Sequence, residues 1–225
     1  PGCISRPDPP PEGCPLATRK KKLRSGRSLW FAYPAPRIKT VSAACGEAAD
    51  ILIVGAGISG ALIGELLAAQ GFSVILIDRR GPMLGSTPAS TALVLYEIDT
   101  PIIKLGNRIG AEKAVRAWRR SKLALDNLRH RTMHLGIKCD MEDRRALYLA
   151  GDLLGEEELA REGEARRTAG FETIFLDHTH LRKEYGISRP AALLSFGDYT
   201  LNPRLLTAGY LRAAIANGAQ VIARD

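Results

Sequence analysis

Apolar residues recur along this chain in two rhythms, and their alternation predicts an α/β fold. Ile51–Val54 and Phe72–Ile77 are short, nearly unbroken apolar runs rich in β-branched residues, the pattern of strands buried on both faces. Between them Ala61–Ala69 holds good helix formers, and Gly71 stands where a helix ends. Thr100-Pro101 reads as a helix start, with Thr100 as the cap and Pro101 in the first turn. A longer helix is predicted from about Ala111 to Leu135. Val115, Trp118, Leu125, Leu128 and Leu135 share one stripe of it, and Arg116, Arg119, Arg120 and Lys122 mostly take the other face. Strands follow at Arg145–Ala150, Phe171–Leu176 and Ala191–Phe196, with a charged surface helix over Glu156–Ala169 and another over His178–Tyr185. The chain closes with a helix over Pro203–Ala216, a stop at Gly218 and a buried strand over Ala219–Ala223.

That closing helix and strand return to the pattern of the first unit, so the segment between them reads as an insertion. The expected organisation is an arm over residues 1–49, the first part of an α/β domain over 50–100, a helical and β insertion over 101–199, and a return to the first domain over 200–225. The arm holds eight of the thirteen prolines and the basic run Arg19–Arg27, a composition that favours an extended or disordered chain. Trp30, Phe31 and Tyr33 interrupt it and are candidates to dock on the folded body. The chain opens on Pro1 and stops at Asp225, just as a strand has begun, and the expectation is a fragment cut within its sheet, with the C-terminal part missing.

The chemistry concentrates in the turn after the first strand. Gly55, Gly57 and Gly60 form Gly-x-Gly-x-x-Gly between a predicted strand and a predicted helix. In such a unit Gly55 permits the tight turn, Gly57 admits a pyrophosphate to the backbone, and Gly60 lets the helix lie against the strand. Free N–H groups at Ile58 and Ser59 would face the phosphates at the positive end of the helix dipole. Asp78 ends the second strand, where an acid accepts hydrogen bonds from an adenosine ribose. Gly85, Ser86, Thr87, Ser90 and Thr91 then supply short residues ahead of an apolar stretch. Their hydroxyls suit helix capping and phosphate binding equally.

Composition narrows the class. Hydrophobic content of 45% and charged content of 25% are ordinary for a globular protein, and no apolar run approaches the ~20 residues that span a bilayer. Cys3, Cys14, Cys45 and Cys139 are scattered without Cys-x-x-Cys spacing, which argues against a zinc site and for a reducing cytoplasm. His130 and His134 stand four apart but lack a third ligand at matching spacing, so no metal is expected. His178 and His180 are expected near a helix cap. Of the net charge of +8, residues 1–50 carry +5, so the basic bias belongs to the arm and no nucleic-acid partner is expected.

With these elements placed, the chain resembles the D-amino-acid oxidase-like family of FAD-dependent oxidoreductases, whose members include glycine and sarcosine oxidases and flavin-linked glycerol-3-phosphate dehydrogenases. The resemblance runs from about Leu29 to Asp225. It rests on the glycine motif through Asp78, on DRRGPMLGSTPASTALV, on RRALYLAGD and on YTLNPRLLTAGYLRAAIANGAQVIA. It implies a Rossmann-like FAD-binding domain with Gly55, Gly57, Ile58, Ser59 and Gly60 at the pyrophosphate and Asp78 at the ribose. Arg79 and Arg80 would lie beside the adenine half. Ser86, Thr87, Ser90 and Thr91 would line the pyrophosphate and ribityl chain, leading the backbone near Ala92 and Leu93 towards the flavin. The strand around Val221 would pass the adenine edge. The implied reaction takes a hydride from a carbon bearing an amine or hydroxyl in a small, amino-acid-like substrate, with oxygen or a quinone or carrier as acceptor. The catalytic groups stay open. Two other readings remain: an NAD(P)-dependent dehydrogenase, and a non-enzymatic nucleotide- or nucleic-acid-binding protein that uses the basic arm.

Overall fold

The computed structural model describes residues 28–42 and 48–223. The basic run Arg19–Arg27 and Cys3, Cys14 and Cys45 lie outside the described residues.

The first unit is strand β1 (Ile51–Val54), helix α1 (Ile58–Ala69) and strand β2 (Val74–Asp78). β2 pairs in parallel with β1 on one side and on the other with the last strand of the chain, β7 (Gln220–Ala223). Helix α6 (Pro203–Ala216) leads into β7. Helices α1 and α6 pack on one another and on the same sheet face, burying Val74, Leu76 and Val221 with Ala61, Ala68, Leu211 and Ala214. Gly64 lets α1 settle there, because a Cβ at that position would stand 3.1 Å from the Leu76 side chain.

The opposite face departs from the sequence expectation. β1 was expected to be buried on both faces, yet Leu52 is 60% and Val54 81% exposed. Side chains alternate along a strand, and among the described residues both helices cover only the face that carries Ile51 and Ile53. The second strand also starts later than its apolar run suggests. Phe72 lies before it and is exposed, because the chain leaves α1 through Gly71 at φ +89° and enters the sheet only at Val74.

The second sheet is antiparallel. Strand β3 (Leu93–Val94) follows the first unit, and helices α2 (Ile102–Ile109) and α3 (Ala111–His134) come next. Strand β4 (Glu142–Leu149), helix α4 (Glu156–Thr168), strand β5 (Thr173–Asp177), helix α5 (His178–Tyr185) and strand β6 (Ala191–Thr200) complete the segment. β6 is central and pairs with β3, β4 and β5, with a bulge in β4 between Arg144 and Ala146. β3 precedes residue 101 but belongs to this sheet. It is one link between the two halves, beside the Arg131–Glu65 ion pair and the Thr132–Tyr210 hydrogen bond. Tyr96, Trp118 and Phe171 pack on one another, with ring centroids 5.4–6.2 Å apart.

Two local expectations change here. Thr100 does not cap α2. The N-cap is Pro101, and the free Ile102 and Ile103 N–H groups donate instead to the two carboxylate oxygens of Glu162 on α4, at 2.9 and 3.0 Å. Nor is α4 purely a surface helix. Glu162 and Arg166 are buried, and Arg166 donates to Glu162, Glu97 and Ser195 while its guanidinium lies 4.7 Å from the Trp118 ring. A buried charge is tolerated only when so partnered. By contrast α5 is capped locally, with Asp177 accepting from the His180 N–H.

Cys139 sits between α3 and β4. Its thiol is buried, and its carbonyl accepts from the Asn202 N–H at 2.7 Å. Burial, reinforced by the negative charge of Asp140, raises the thiol pKa to about 11. Residues 28–42 lie on the folded body. Val41 bridges in parallel to Ile222, and the Arg37 carbonyl accepts from Arg212 on α6.

Candidate functional site

At the carboxyl ends of β1 and β2 the chain must turn sharply and then start a helix. Gly55 takes φ +115°, a backbone conformation that side chains resist. A Cβ on Gly60 would stand 1.9 Å from the Gly55 carbonyl oxygen, so only glycine lets α1 approach the turn this closely. Gly57 is the N-cap of α1 with no side-chain cap, and a Cβ there would lie 3.1 Å from Thr87 Oγ1. The α1 N-terminus therefore opens into a gap that the Ser/Thr loop faces from the other side. The Ile58 N–H donates to Thr87 Oγ1 at 3.0 Å.

Around this gap lies a cleft of about 450 Å³. Gly55, Gly57, Ile58, Ser59, Gly60, Asp78, Arg80, Ser86, Thr87 and Ser90 line one end. Ala92, Leu93, Val94, Leu128, Leu201, Pro203 and Leu206 form an apolar end. A second cleft of about 430 Å³ adjoins it through Val54, Gly55, Asp78 and Arg80, and adds Ser42, Ile77, Arg79 and Ile222. Among the described residues Asp78 is the only acid lining either cleft. Both of its oxygens are already oriented, Oδ2 by the Ala56 N–H and Oδ1 by the Arg80 N–H, each at 2.9 Å. A carboxylate oxygen has a second lone pair, so Asp78 keeps acceptor capacity for hydroxyl donors.

Most of the sequence-predicted residues thus meet in one connected space. Four stand differently from expectation, the first being the Ile58 N–H, which is not free but bonded to Thr87 Oγ1. Thr91 is exposed and lines neither cleft. Val221 is buried against the helices; its neighbour Ile222 faces the second cleft. Arg80, expected beside the adenine half, also lines the first cleft, with its guanidinium 3.2 Å from where a Gly85 Cβ would be. Leu128, Ser42, Leu201 and Leu206 are additions. Leu128 is legible only as a member of the α3 stripe, and which of that stripe's residues reach a cleft depends on how α3 packs.

The donor set fits a dinucleotide. Helix N–H groups, three hydroxyls and Arg80 suit a diphosphate, the fixed carboxylate suits a ribose, and the apolar end suits a planar ring. Glycine turn, parallel sheet and acid at the strand end together define the class, a dinucleotide-binding α/β protein. Residues 50–225 match the family described as FAD dependent oxidoreductase, and the chain belongs to that family. The nicotinamide alternative is thereby set aside.

The chain is 23% identical over 177 residues to a probable oxidoreductase, OrdL, of Haemophilus influenzae, with 78% of this chain and 41% of the relative covered. Two solved structures share the fold. Glycine oxidase from Bacillus cereus is 17% identical with a TM-score of 0.55, over 78% of this chain and 46% of that one. L-alpha-glycerophosphate oxidase from Mycoplasma pneumoniae, with FAD bound, is 19% identical with a TM-score of 0.63, over 79% and 45%. The chain spans less than half the length of each of these relatives. Among the described residues no helix is long and apolar enough to cross a membrane.

Proposed function

We propose that the two joined clefts hold one FAD and that the whole protein is an oxidoreductase acting on a small amine, amino acid or hydroxy substrate. The observation that carries the reading is the α1 N-terminus opening, at Gly57, onto Ser86, Thr87 and Ser90. In this reading the diphosphate lies between them, and Arg80 balances its charge. Asp78 accepts from the ribose hydroxyls where the two clefts join. The adenine takes the side lined by Ile77, Arg79 and Ile222, and the ring system takes the apolar end at Val94, Leu128 and Leu206. When bound, the flavin supplies hydride acceptance; the chain supplies orientation and electrostatics. Residues 50–100 and 200–225 form the cofactor domain, and 101–199 form the substrate side. Oxygen or a quinone-linked carrier is the acceptor, and the cysteine spacing supports a cytoplasmic setting. Relatives that act on glycine and on glycerophosphate support both amine and hydroxyl substrates.

Gly57→Val tests the site. A valine would fill the space the diphosphate needs, and the variant is expected to purify folded but colourless. Stoichiometric flavin in that variant, read from absorbance near ~450 nm, would overturn the assignment.

A further inference from the structure

We propose that Ser28–Tyr33 is a latch that holds the Ser86–Ser90 loop in its binding geometry, with Trp30 and Arg204 as positioning residues. The inference rests on the dinucleotide reading of the cleft.

The loop's own contacts are local: the Ala89 N–H donates to the Ser86 carbonyl at 2.9 Å and the Ala92 N–H to Ser90 Oγ at 3.0 Å; beyond these, Thr87 Oγ1 accepts from the Ile58 N–H. Its short 3-10 turn, Thr87–Ala89, has no side-chain cap, and its Ser90 N–H reaches the Thr87 carbonyl only at 3.4 Å. Two of its carbonyls are taken from outside. The Trp30 Nε1–H donates to the Ser90 carbonyl at 2.8 Å, and the Ser28 hydroxyl donates to the Pro88 carbonyl. One of those carbonyls belongs to Pro88, in the middle of the turn, and the other to Ser90, its C-cap.

The latch is in turn fixed to α6. Arg204, buried in the first turn of that helix, donates from Nη1 to the Trp30 carbonyl at 2.8 Å and to the Tyr33 carbonyl at 3.4 Å. Its guanidinium lies 5.0 Å from the Phe31 ring, and the Trp30 and Tyr33 rings stack at 5.9 Å. A buried guanidinium committed to backbone carbonyls and an aromatic face is costly to undo. A continuous path therefore runs from α6 through Arg204 and Trp30 to the loop, and from Thr87 to the Ile58 N–H at the head of α1. None of residues 28–33 lines either cleft. Cofactor retention then depends on a segment that does not touch the cofactor.

The test uses the full chain loaded with FAD and measures flavin release, the visible circular dichroism of the bound flavin, and the thermal midpoint of the apoprotein. Trp30→Phe keeps the stacking ring and removes the N–H; Arg204→Lys keeps the charge and removes the two-carbonyl reach. Both are expected to release FAD about two- to tenfold faster, the worth of one net hydrogen bond. The flavin dichroism should change in both. The apoprotein midpoint should stay close to that of the parent in Trp30→Phe, which is the deciding variant, and should fall in Arg204→Lys, which undoes buried contacts. FAD release within about twofold of the parent in Trp30→Phe overturns the latch, as does a change in that variant explained entirely by a lower apoprotein midpoint. Gly57→Val separates the two readings. If it keeps its flavin, the site assignment fails. If it loses flavin while Trp30→Phe behaves as the parent, only the latch fails.

Discussion

The parallel and antiparallel halves are organised on different length scales. Around β1 and β2 the polar contacts of the glycine turn join nearer residues: Asp78 holds Arg80 and Ala56, and Thr87 holds Ile58, at separations of 2, 22 and 29 residues, with the latch at Trp30 and Arg204 as the long-range exception. In the antiparallel half the separations grow. Glu162 caps α2 across 60 residues, Arg166 reaches Glu97 across 69, Ser195 reaches Glu97 across 98, and the Tyr96 N–H meets Asp198 across 102. One half presents backbone donors and leaves acceptor capacity free for a ligand. The other pairs its buried Arg166 with Glu162 and Glu97, while Asp198 Oδ2 and Thr173 Oγ1 have no partner among the described residues. The first offers its glycine turn to a ligand, and the second ties distant segments together.

Arg166→Met is the strongest way to test that division. It removes the cation from a cluster that retains buried Glu162 and the mostly buried Glu97. Breaking a buried pair in this way costs about 3–5 kcal/mol. Urea unfolding should show a loss of that size, while the FAD affinity of the remaining folded protein changes little. A large fall in affinity with unchanged stability would reverse the roles of the two halves.

Asp78→Ala probes the other side. The expected loss is roughly 1–3 kcal/mol of FAD binding, from hydrogen bonds to a charged acceptor, seen in titration of the apoprotein. Unchanged affinity would mean that the carboxylate serves only the Ala56 and Arg80 amides.

The smallest effect is expected at Asp198, at the junction with β3. Burial, and then the charge of Glu97, raises its carboxyl from the ordinary 3.8 to about 6, against the Tyr96 N–H and the cations Lys122 and Arg166. Oδ1 accepts from the Tyr96 N–H, while Oδ2 has no partner among the described residues. Between those two pH values the folded protein keeps a proton that the unfolded chain releases, so this group makes stability fall as pH rises from about 4 to about 6. Asp198→Asn should flatten that slope and be the more stable protein above pH ~6. Parallel stability–pH curves for variant and parent would show that Asp198 does not titrate in this window.

The same difference in length scale explains what could be read from the sequence. β1, α5 and α6 run between the predicted residues, because each carries local punctuation: an apolar run ending in glycine, Asp177 before and Gly186 after, Asn202-Pro203 before and Gly218 after. The glycine turn and Asp78 were legible for the same reason. The cap of α2 was not, since Thr100-Pro101 is a plausible local start and the Glu162 carboxylate arrives from another helix. The strand that carries Val221 was located correctly, but whether Val221 or Ile222 faces the cleft depends on the face the helices cover. A period of two makes neighbours opposites. Trp30 could be named as a docking residue, but its partner, the Ser90 carbonyl, has no signature in sequence.

The buried thiol at Cys139 provides a built-in reporter. With its pKa held near 11 and its sulfur out of solvent, almost none is thiolate at neutral pH, so alkylating reagents react with it only when the structure opens. Its carbonyl is bonded to the residue that caps α6, so such an opening parts the start of β4 from the helix that anchors the latch. The rate of alkylation at this one position, followed by peptide mass, is therefore a clock for separation of the two halves, and bound FAD should slow it only if the cofactor holds them together.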